Sequence, residues 1–331
     1  MNAATWNVPN AIKFSEDDLA RLKVTVTGGR GFLGRHVVDL LIRMGVPRAN
    51  ILVPAAALFD LRKPDAAAEV TEGRDLVIHL AARVGGIGFN QQHPAELVYD
   101  NTLMGLNVIH QAHKNKVKKL VVAGTVCAYP KFTPTPFKEG DLWKGYPEET
   151  NAPYGIAKKH MLVMLQAYRQ QYGLHGVFLL PANLYGPHDN FNLESSHVIP
   201  AMICKFIEAR QERRPSVKLW GDGSASREFL FVEDCARGIV LAAMKYDGPE
   251  PVNLGSHAEI TIKSLAETIK ELTHYDGEIL WDTSRPNGQP RRVLDVQRAR
   301  EAFGFEAKVH LRDGLKQTIE WFQKQPALSR S

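Results

Sequence analysis

The stretch "LKVTVTGGRGFLGRHVVDLLIRMG", Leu22 to Gly45, decides the fold of this chain. Leu22–Gly29 is a short β-rich run that ends in glycine. From Phe32 to Gly45 the spacing turns helical and predicts Val37, Leu40, Leu41 and Met44 on one face. Gly28, Gly31 and Gly34 stand three apart between the two. Glycine lets a backbone turn sharply and approach a pyrophosphate, and a helix N-terminus offers unpaired N–H groups with a partial positive charge. A glycine triplet alone says little. A strand before it and a helix after it make it a dinucleotide-binding turn.

The same alternation continues outward. Strands are expected at Asn50–Pro54, Asp75–Ala82, Lys118–Thr125 and His175–Gly186, and long helices at Tyr99–Asn115 and Tyr154–Gly173. Near-continuous apolar strands between helices predict a parallel sheet covered on both faces, a doubly wound α/β domain of the Rossmann type. Beyond about residue 186 proline, glycine, charge and aromatics mix. Helices are expected there near Pro200–Ala209, Val232–Lys245, Ile262–Leu272 and Leu311–Gln323. The reading is a nucleotide-binding domain over 1–185 and a smaller C-terminal lobe, mainly 186–331, that takes the substrate. "EFLFVEDCARGIVLAAM" (Glu228–Met244), in a segment near 228–248, is expected to return to the main sheet.

The bulk numbers narrow the function. A chain of 331 residues with 44% hydrophobic residues has a real core. No apolar run approaches the ~20 residues that span a bilayer, and "MNAATWNVPNAIKF" lacks the basic and apolar regions of a signal peptide. Cys127, Cys204 and Cys235 have neither metal-type nor disulfide-type spacing, so no metal and a reducing cytoplasm are expected. The net charge is +5 and the pI about 9.0. "KNKVKK" (Lys114–Lys119) and "RQERR" (Arg210–Arg214) carry no interleaved aromatics and read as solvated ends and loops. That sets nucleic acid aside and leaves a small polyanion such as a nucleotide.

The cofactor end has one irregular feature. NAD enzymes place an acid about 20 residues past the glycines, on the ribose 2′-OH. Here the region reads "LVPAAALFDL" (Leu52–Leu61), with neither that acid nor an arginine for a 2′-phosphate. Arg30 and Arg35 remain as cations, and Asp60-Leu61 resembles the pair that flanks adenine. NADP(H) is expected, with NAD(H) use open, on Gly28, Arg30, Gly31, Phe32, Leu33, Gly34, Asp60 and Leu61.

The catalytic end is "NAPYGIAKK" (Asn151–Lys159). Tyr154 and Lys158, four apart, share a helix face. An ammonium beside a phenol is expected to lower its pKa, so that the tyrosine can exchange a proton with a carbonyl or hydroxyl oxygen. Thr125 in "LVVAGTVCAYP" (Leu120–Pro130) would donate to the same oxygen. Cys127 follows two residues later, and an extended chain there would aim both side chains the same way. A thiolate beside a bound ketone could take the acidic proton from an adjacent carbon. His197 in "NLESSHVIP" could return one, with His188 in "YGPHDNF" a competitor. Cys204 and Cys235 read as core.

With "LAARVGGIGFN", "CAYPK", "EETNAPYGIAKK", "NLYGPHDNF", "SSHVIPA", "WGDGSASREFLFVED" and "RPNGQPRRVLD", the chain resembles the GDP-L-fucose synthase family over about residues 22–325. This is a branch of the extended short-chain dehydrogenase/reductases. The resemblance implies a bifunctional 3,5-epimerase and NADPH-dependent 4-reductase of GDP-4-keto-6-deoxy-D-mannose. It puts the epimerase pair on Cys127 and His197 and the reductase pair on Tyr154 and Lys158, with Thr125 beside them. It implies GDP-sugar contacts at Lys205, Trp220, Arg227, Asn287 and Arg292. Lys158, Pro181, Asn183, Leu184 and His197 would border the nicotinamide, and a homodimer would form through the helices at about 101–115 and 154–172. Ala55–Ala57 depart from the arginine common there. Other readings are a GDP-mannose 3,5-epimerase with tightly held NAD, a pure 4-reductase or 4-epimerase, and a non-catalytic dinucleotide sensor.

Overall fold

The computed structural model describes residues 11–284 and 289–325. In chain order the first half carries α1 (Glu16–Leu19), β1 (Val24–Thr27), α2 (Phe32–Arg43), β2 (Ile51–Leu52), α3 (Pro64–Thr71), β3 (Leu76–His79), α4 (Ile87–Gln92), α5 (Pro94–Lys114), β4 (Lys119–Ala123) and α6 (Ala152–Tyr172). Then follow β5 (Gly176–Pro181), β6 (Asn183–Tyr185), α7 (Val198–Gln211), β7 (Ser216–Trp220), β8 (Ser226–Phe231), α8 (Val232–Lys245) and β9 (Val252–Leu254). The chain ends with β10 (Glu259–Thr261), α9 (Ile262–Leu272), β11 (Glu278–Asp282), β12 (Arg291–Arg292), α10 (Gln297–Phe303) and α11 (Leu311–Gln323).

Six strands form one parallel sheet in the order β2-β1-β3-β4-β5-β9. Every residue of β1, β3 and β4 is buried, as a sheet with helices on both faces requires. The order reverses between β1 and β3, which opens a crevice at the carboxyl ends of the strands. The edge strand β2 is only two residues long, and Pro54 stands two residues past its end.

The helix after the glycine turn packs by Gly34, Val37, Val38 and Leu41. Met44 caps its C-terminus and is exposed, so Val38 takes the place expected for it. Gly34 allows the close packing: a Cβ there would run into Gly28 O.

The run expected as one strand at His175–Gly186 is two. At Ala182 the chain leaves the main sheet, and β6 pairs with β8 in a second sheet that also holds β10 and β12. The return segment differs likewise. β8 stays in that smaller sheet, while α8 packs against α2 and β9 supplies the sixth main-sheet strand. A second apolar cluster, with Phe206, Phe229, Leu265 and Phe322, fills the C-terminal lobe, and α8 and α10 bury their apolar faces in the first. Sequence periodicity alone does not reveal α3, α4 and α10, which run six to eight residues.

Candidate active site

A cleft of about 1250 Å³ runs from the glycine turn, past the ends of β4 and β5, into the C-terminal lobe. Its floor at one end is the turn itself. Gly28 has φ 69°, and a Cβ on it would stand 2.8 Å from Ala81 N. Gly31 is the N-cap of α2. A side chain on Gly28 would strike the Ala81 backbone and force the turn open, so the turn keeps the bare backbone and helix N-terminus that suit a pyrophosphate. Arg30, Phe32, Leu33, Asp60 and Leu61 line the same end with Pro54, Ala56 and Ala57. Of the two candidate arginines, Arg30 reaches the cleft. Arg35 is turned away, with Nη1 2.7 Å from His188 Nδ1 and Nη2 donating to Arg30 O. Both Asp60 oxygens accept from Arg62.

The chemistry sits where β4 ends. The chain does not stay extended there. It enters a single 3-10 turn, Val126–Ala128, and Thr125 caps it by accepting from Cys127 N at 3.2 Å. The expected same-side alternation of Thr125 and Cys127 therefore fails, because the capping hydroxyl is tied to the backbone of the next turn. Both residues still line the cleft. Helix α6 is laid directly on this turn at Gly155, which brings Tyr154 to the thiol.

Tyr154 and Lys158 are both buried. Lys158 Nζ donates to Ala123 O at 2.9 Å and lies 5.9 Å from the centre of the Tyr154 ring. Burial pulls the Lys158 ammonium down to about 8. The phenol goes the opposite way from expectation. Burial, then the neighbouring Cys127 charge, push the Tyr154 pKa up, and a hydrogen bond with Thr125 only partly opposes them. The ammonium is committed to a backbone carbonyl and sits over the ring, so it does not act on the phenol oxygen as expected.

His197, the N-cap of α7, also lines the cleft. Solvent reaches the ring, yet cleft walls enclose it, and that desolvation lowers its pKa. His188 lies elsewhere, at φ 72° with its ring 4.6 Å from that of Trp321. Pro181, Asn183 and Leu184, at the hand-over from β5 to β6, form another wall. Cys204 and Cys235 are buried, and burial raises both thiol pKa values, Cys204 to about 12.

In the C-terminal lobe Lys205, Trp220, Arg227 and Arg292 line the far end. Lys205 Nζ donates to Lys218 O, and Trp220 is half exposed. Burial, then the charge of Arg292, depress Arg227 to about 10. Arg292 Nη1 donates to Cys127 Sγ at 3.6 Å. Asn287 lies outside the described residues. The cleft adds residues that motif reading passed over. Asn151 Nδ2 donates to Glu148 Oε2 at 2.6 Å, and Asn90 Nδ2 reaches Asn151 Oδ1. Gln289 also lines it. The signal available for Glu148 and Asn151 was the polar run immediately before the Tyr154 helix.

Among the described residues no helix is long and apolar enough to cross a membrane. The model of the NAD dependent epimerase/dehydratase family matches residues 24–255. The probable GDP-L-fucose synthase 1 of Oryza sativa subsp. japonica is 41% identical over 303 residues, 91% of this chain and 92% of that one. A GDP-6-OMe-4-keto-L-xylo-heptose reductase from C. jejuni superposes with a TM-score of 0.88 at 27% identity, covering 95% of this chain and all of that one. The GDP-L-fucose synthetase from Naegleria fowleri bound to NADP does so at 0.82 and 26%, covering 96% and 97%. Glycine cradle, buried Tyr-Lys pair and doubly wound sheet thus agree with these likenesses: the chain belongs to the NAD dependent epimerase/dehydratase family and is a relative, within it, of the GDP-L-fucose synthases.

Proposed function

We propose that this protein converts GDP-4-keto-6-deoxy-D-mannose to GDP-L-fucose, by epimerising C3 and C5 and then reducing the C4 ketone with NADPH. The observation that carries the reading is one cleft lined by two kinds of proton-moving groups: Cys127 and His197, and Thr125, Tyr154 and Lys158. NADP(H) fits the cradle of Gly28, Gly31 and Gly34, with Arg30 at its mouth and Lys158, Asn183 and Leu184 toward the reacting end. When bound it supplies the reducing equivalent for C4.

The C4 ketone acidifies the hydrogens on C3 and C5. The Cys127 thiolate takes one of them, and the negative charge that develops on the C4 oxygen meets the Thr125 hydroxyl and the Tyr154 phenol. His197 gives a proton to the carbon from the other face. Cys127 then loses its proton to solvent and His197 takes one up, and the reset pair repeats the exchange at the second carbon. In the reduction Tyr154 protonates the C4 oxygen. Its raised pKa suits that role, since the phenol holds its proton at neutral pH until the oxygen becomes basic. Lys158, largely charged at pH 7, restrains the tyrosine and the adjacent ribose.

Residues 1–185 mainly hold the cofactor and 186–331 the GDP-sugar. Lys205, Arg227 and Trp220 suit a diphosphate and a guanine ring. Exposed Tyr99, Leu106, Ile156, Val163 and Tyr172 on α5 and α6 support a homodimer through these helices. Leu106→Glu with Val163→Glu should then yield monomers in sedimentation. Free Cys127, Cys204 and Cys235 agree with a cytoplasmic place.

The test is turnover in D₂O. Reductant consumption with deuterium at C3 and C5, and loss of that exchange in Cys127→Ser, is the expected result. Reduction without deuterium at either carbon would favour a pure C4 reductase, the reading that the superposition on a heptose reductase supports.

A further inference from the structure

Arg292 is buried at 9% exposure and lies on β12 beside Arg227 of β8, its register partner. The charge of Arg292 bears on Arg227, which Glu148 also faces. The adjacent Arg291 pairs with Glu259 in a bidentate fork, and Arg227 Nη1 donates to Ser226 O. Among the described residues Arg292 has no carboxylate partner. Its Nε donates to Gln289 Oε1 at 3.1 Å, and its Nη1 points at Cys127 Sγ at 3.6 Å. Gln289 is itself fixed, with Nε2 donating to Lys131 O at 2.7 Å. The guanidinium is thus aimed at the sulfur by a neutral side chain that cannot compete for its charge.

We propose that Arg292, oriented by Gln289, is the positioning residue that keeps Cys127 as a thiolate and aims it into the cleft. This rests on the reading of Cys127 as the proton-abstracting base. The chemistry suits arginine over lysine. A guanidinium stays charged at any working pH and its planar fork satisfies two acceptors at once, here an amide oxygen and a sulfur. Thiolates persist beside fixed cations. The other groups around the sulfur are Arg227 from β8, whose charge adds to the effect, the Tyr154 phenol from α6, and Thr125, which binds the cysteine's own amide. Glu148, on the loop before α6, faces Arg227. His197 lines the cleft from the start of α7, and the Lys158 ammonium is held by Ala123 O.

The test reads the thiol directly and needs no substrate. Cys127 is alkylated with iodoacetamide across a pH series in wild type, Arg292→Gln and Arg292→Lys, and the modified peptide is quantified by mass spectrometry. Buried Cys204 and Cys235 serve as internal references. In R292Q the alkylation profile is expected to move up by about one pH unit, with the rate at pH 7 falling roughly tenfold. R292K should fall between. If R292Q does not fold, Gln289→Ala should move the profile in the same direction by less. A profile unchanged in the folded variants overturns the proposal whatever the enzyme catalyses. A shifted profile in a protein whose wild type washes no deuterium into C3 or C5 supports the Arg292–Cys127 pair and overturns the epimerase reading instead.

Discussion

Gly155 lies against the carbonyl of Cys127: a Cβ at this position would stand 2.6 Å from that oxygen and 3.2 Å from Ala128 Cα. The contact sets how the Tyr154 helix meets the turn that carries the thiol, so both halves of the proposed chemistry depend on it. Gly155→Ala should favour the isolated helix by ~1 kcal/mol. The clash is with backbone, which cannot rotate away, and overpacking of this kind costs about 1–3 kcal/mol. The clash should win. A lower melting temperature, with deuterium exchange and reduction both down at least tenfold, is the expected outcome. An intact rate would show that the turn can shift without cost.

Lys158 gives a stability prediction of unusual sign. Its ammonium is buried and its pKa sits near 8. Below that value the group is charged folded and unfolded, and the native state bears the whole cost of burial. As pH rises from about 8 toward the unfolded value, only the unfolded chain still holds the proton, and the cost is relieved. That cost is about 3 kcal/mol. Lys158→Met should therefore be more stable than wild type by roughly 2 kcal/mol at pH 7, after a penalty for leaving Ala123 O without its donor. The difference should shrink to nothing by pH 10. Reduction by the variant should fall by about 10² or more, and wild-type kcat/KM for reduction should decline above pH 8. Urea unfolding of both proteins at pH 7 and pH 10 checks the sign.

How much was legible beforehand divides by distance along the chain. The glycine turn, the Tyr-Lys spacing and the alternating strands are local patterns, and the first five strands of the main sheet and the glycine turn stand where they predicted. What sequence missed depends on contacts far apart in the chain. Nothing near Thr125 announces the 3-10 turn, because α6 supports it from thirty residues away. The Tyr154 pKa was expected to fall on a pairwise argument. Burial, which no pair of residues encodes, reverses it. Likewise the single strand expected over "HGVFLLPANLYG" (His175–Gly186) breaks at Ala182, since the second sheet that receives β6 is built from β8, some forty residues later. Arg292 could be named from its motif but not oriented, for Gln289 and Cys127 act on it only in three dimensions.

Asp247 ties together three segments. Its carboxylate accepts from buried Arg169, from His175 Nδ1 at 2.6 Å and from Ile12 N at 2.7 Å. Burial works to raise its pKa, and Arg169 foremost outweighs that, so the net direction is down. A depressed carboxylate stabilises the native state above its unfolded pKa, and that stability is lost as pH falls through the folded value. Asp247→Ala would leave Arg169 buried without a counter-ion. The expected loss is about 3–5 kcal/mol, measured by chemical denaturation at pH 7. The gap between variant and wild type should narrow on acidification. A gap that stays constant from pH 7 to pH 3 would remove the charge from the explanation.

Arg30 is the residue expected to tell NADP(H) from NAD(H). At the edge of the cleft where a 2′-phosphate would lie, the chain offers Ala56 and Ala57, and Arg35 is held by His188. Arg30 then carries the recognition. A charge-assisted contact of this kind is worth about 1.5–3 kcal/mol. Arg30→Ala should weaken NADP⁺ binding by about ten- to a hundredfold in calorimetry and leave NAD⁺ within about twofold. Ala55→Arg, which restores a cation after β2, should tighten NADP⁺ and not NAD⁺. Equal weakening of both nucleotides by R30A would assign Arg30 to the pyrophosphate. No change in either would move the 2′-phosphate contact to Arg62 or Lys63 on the same wall.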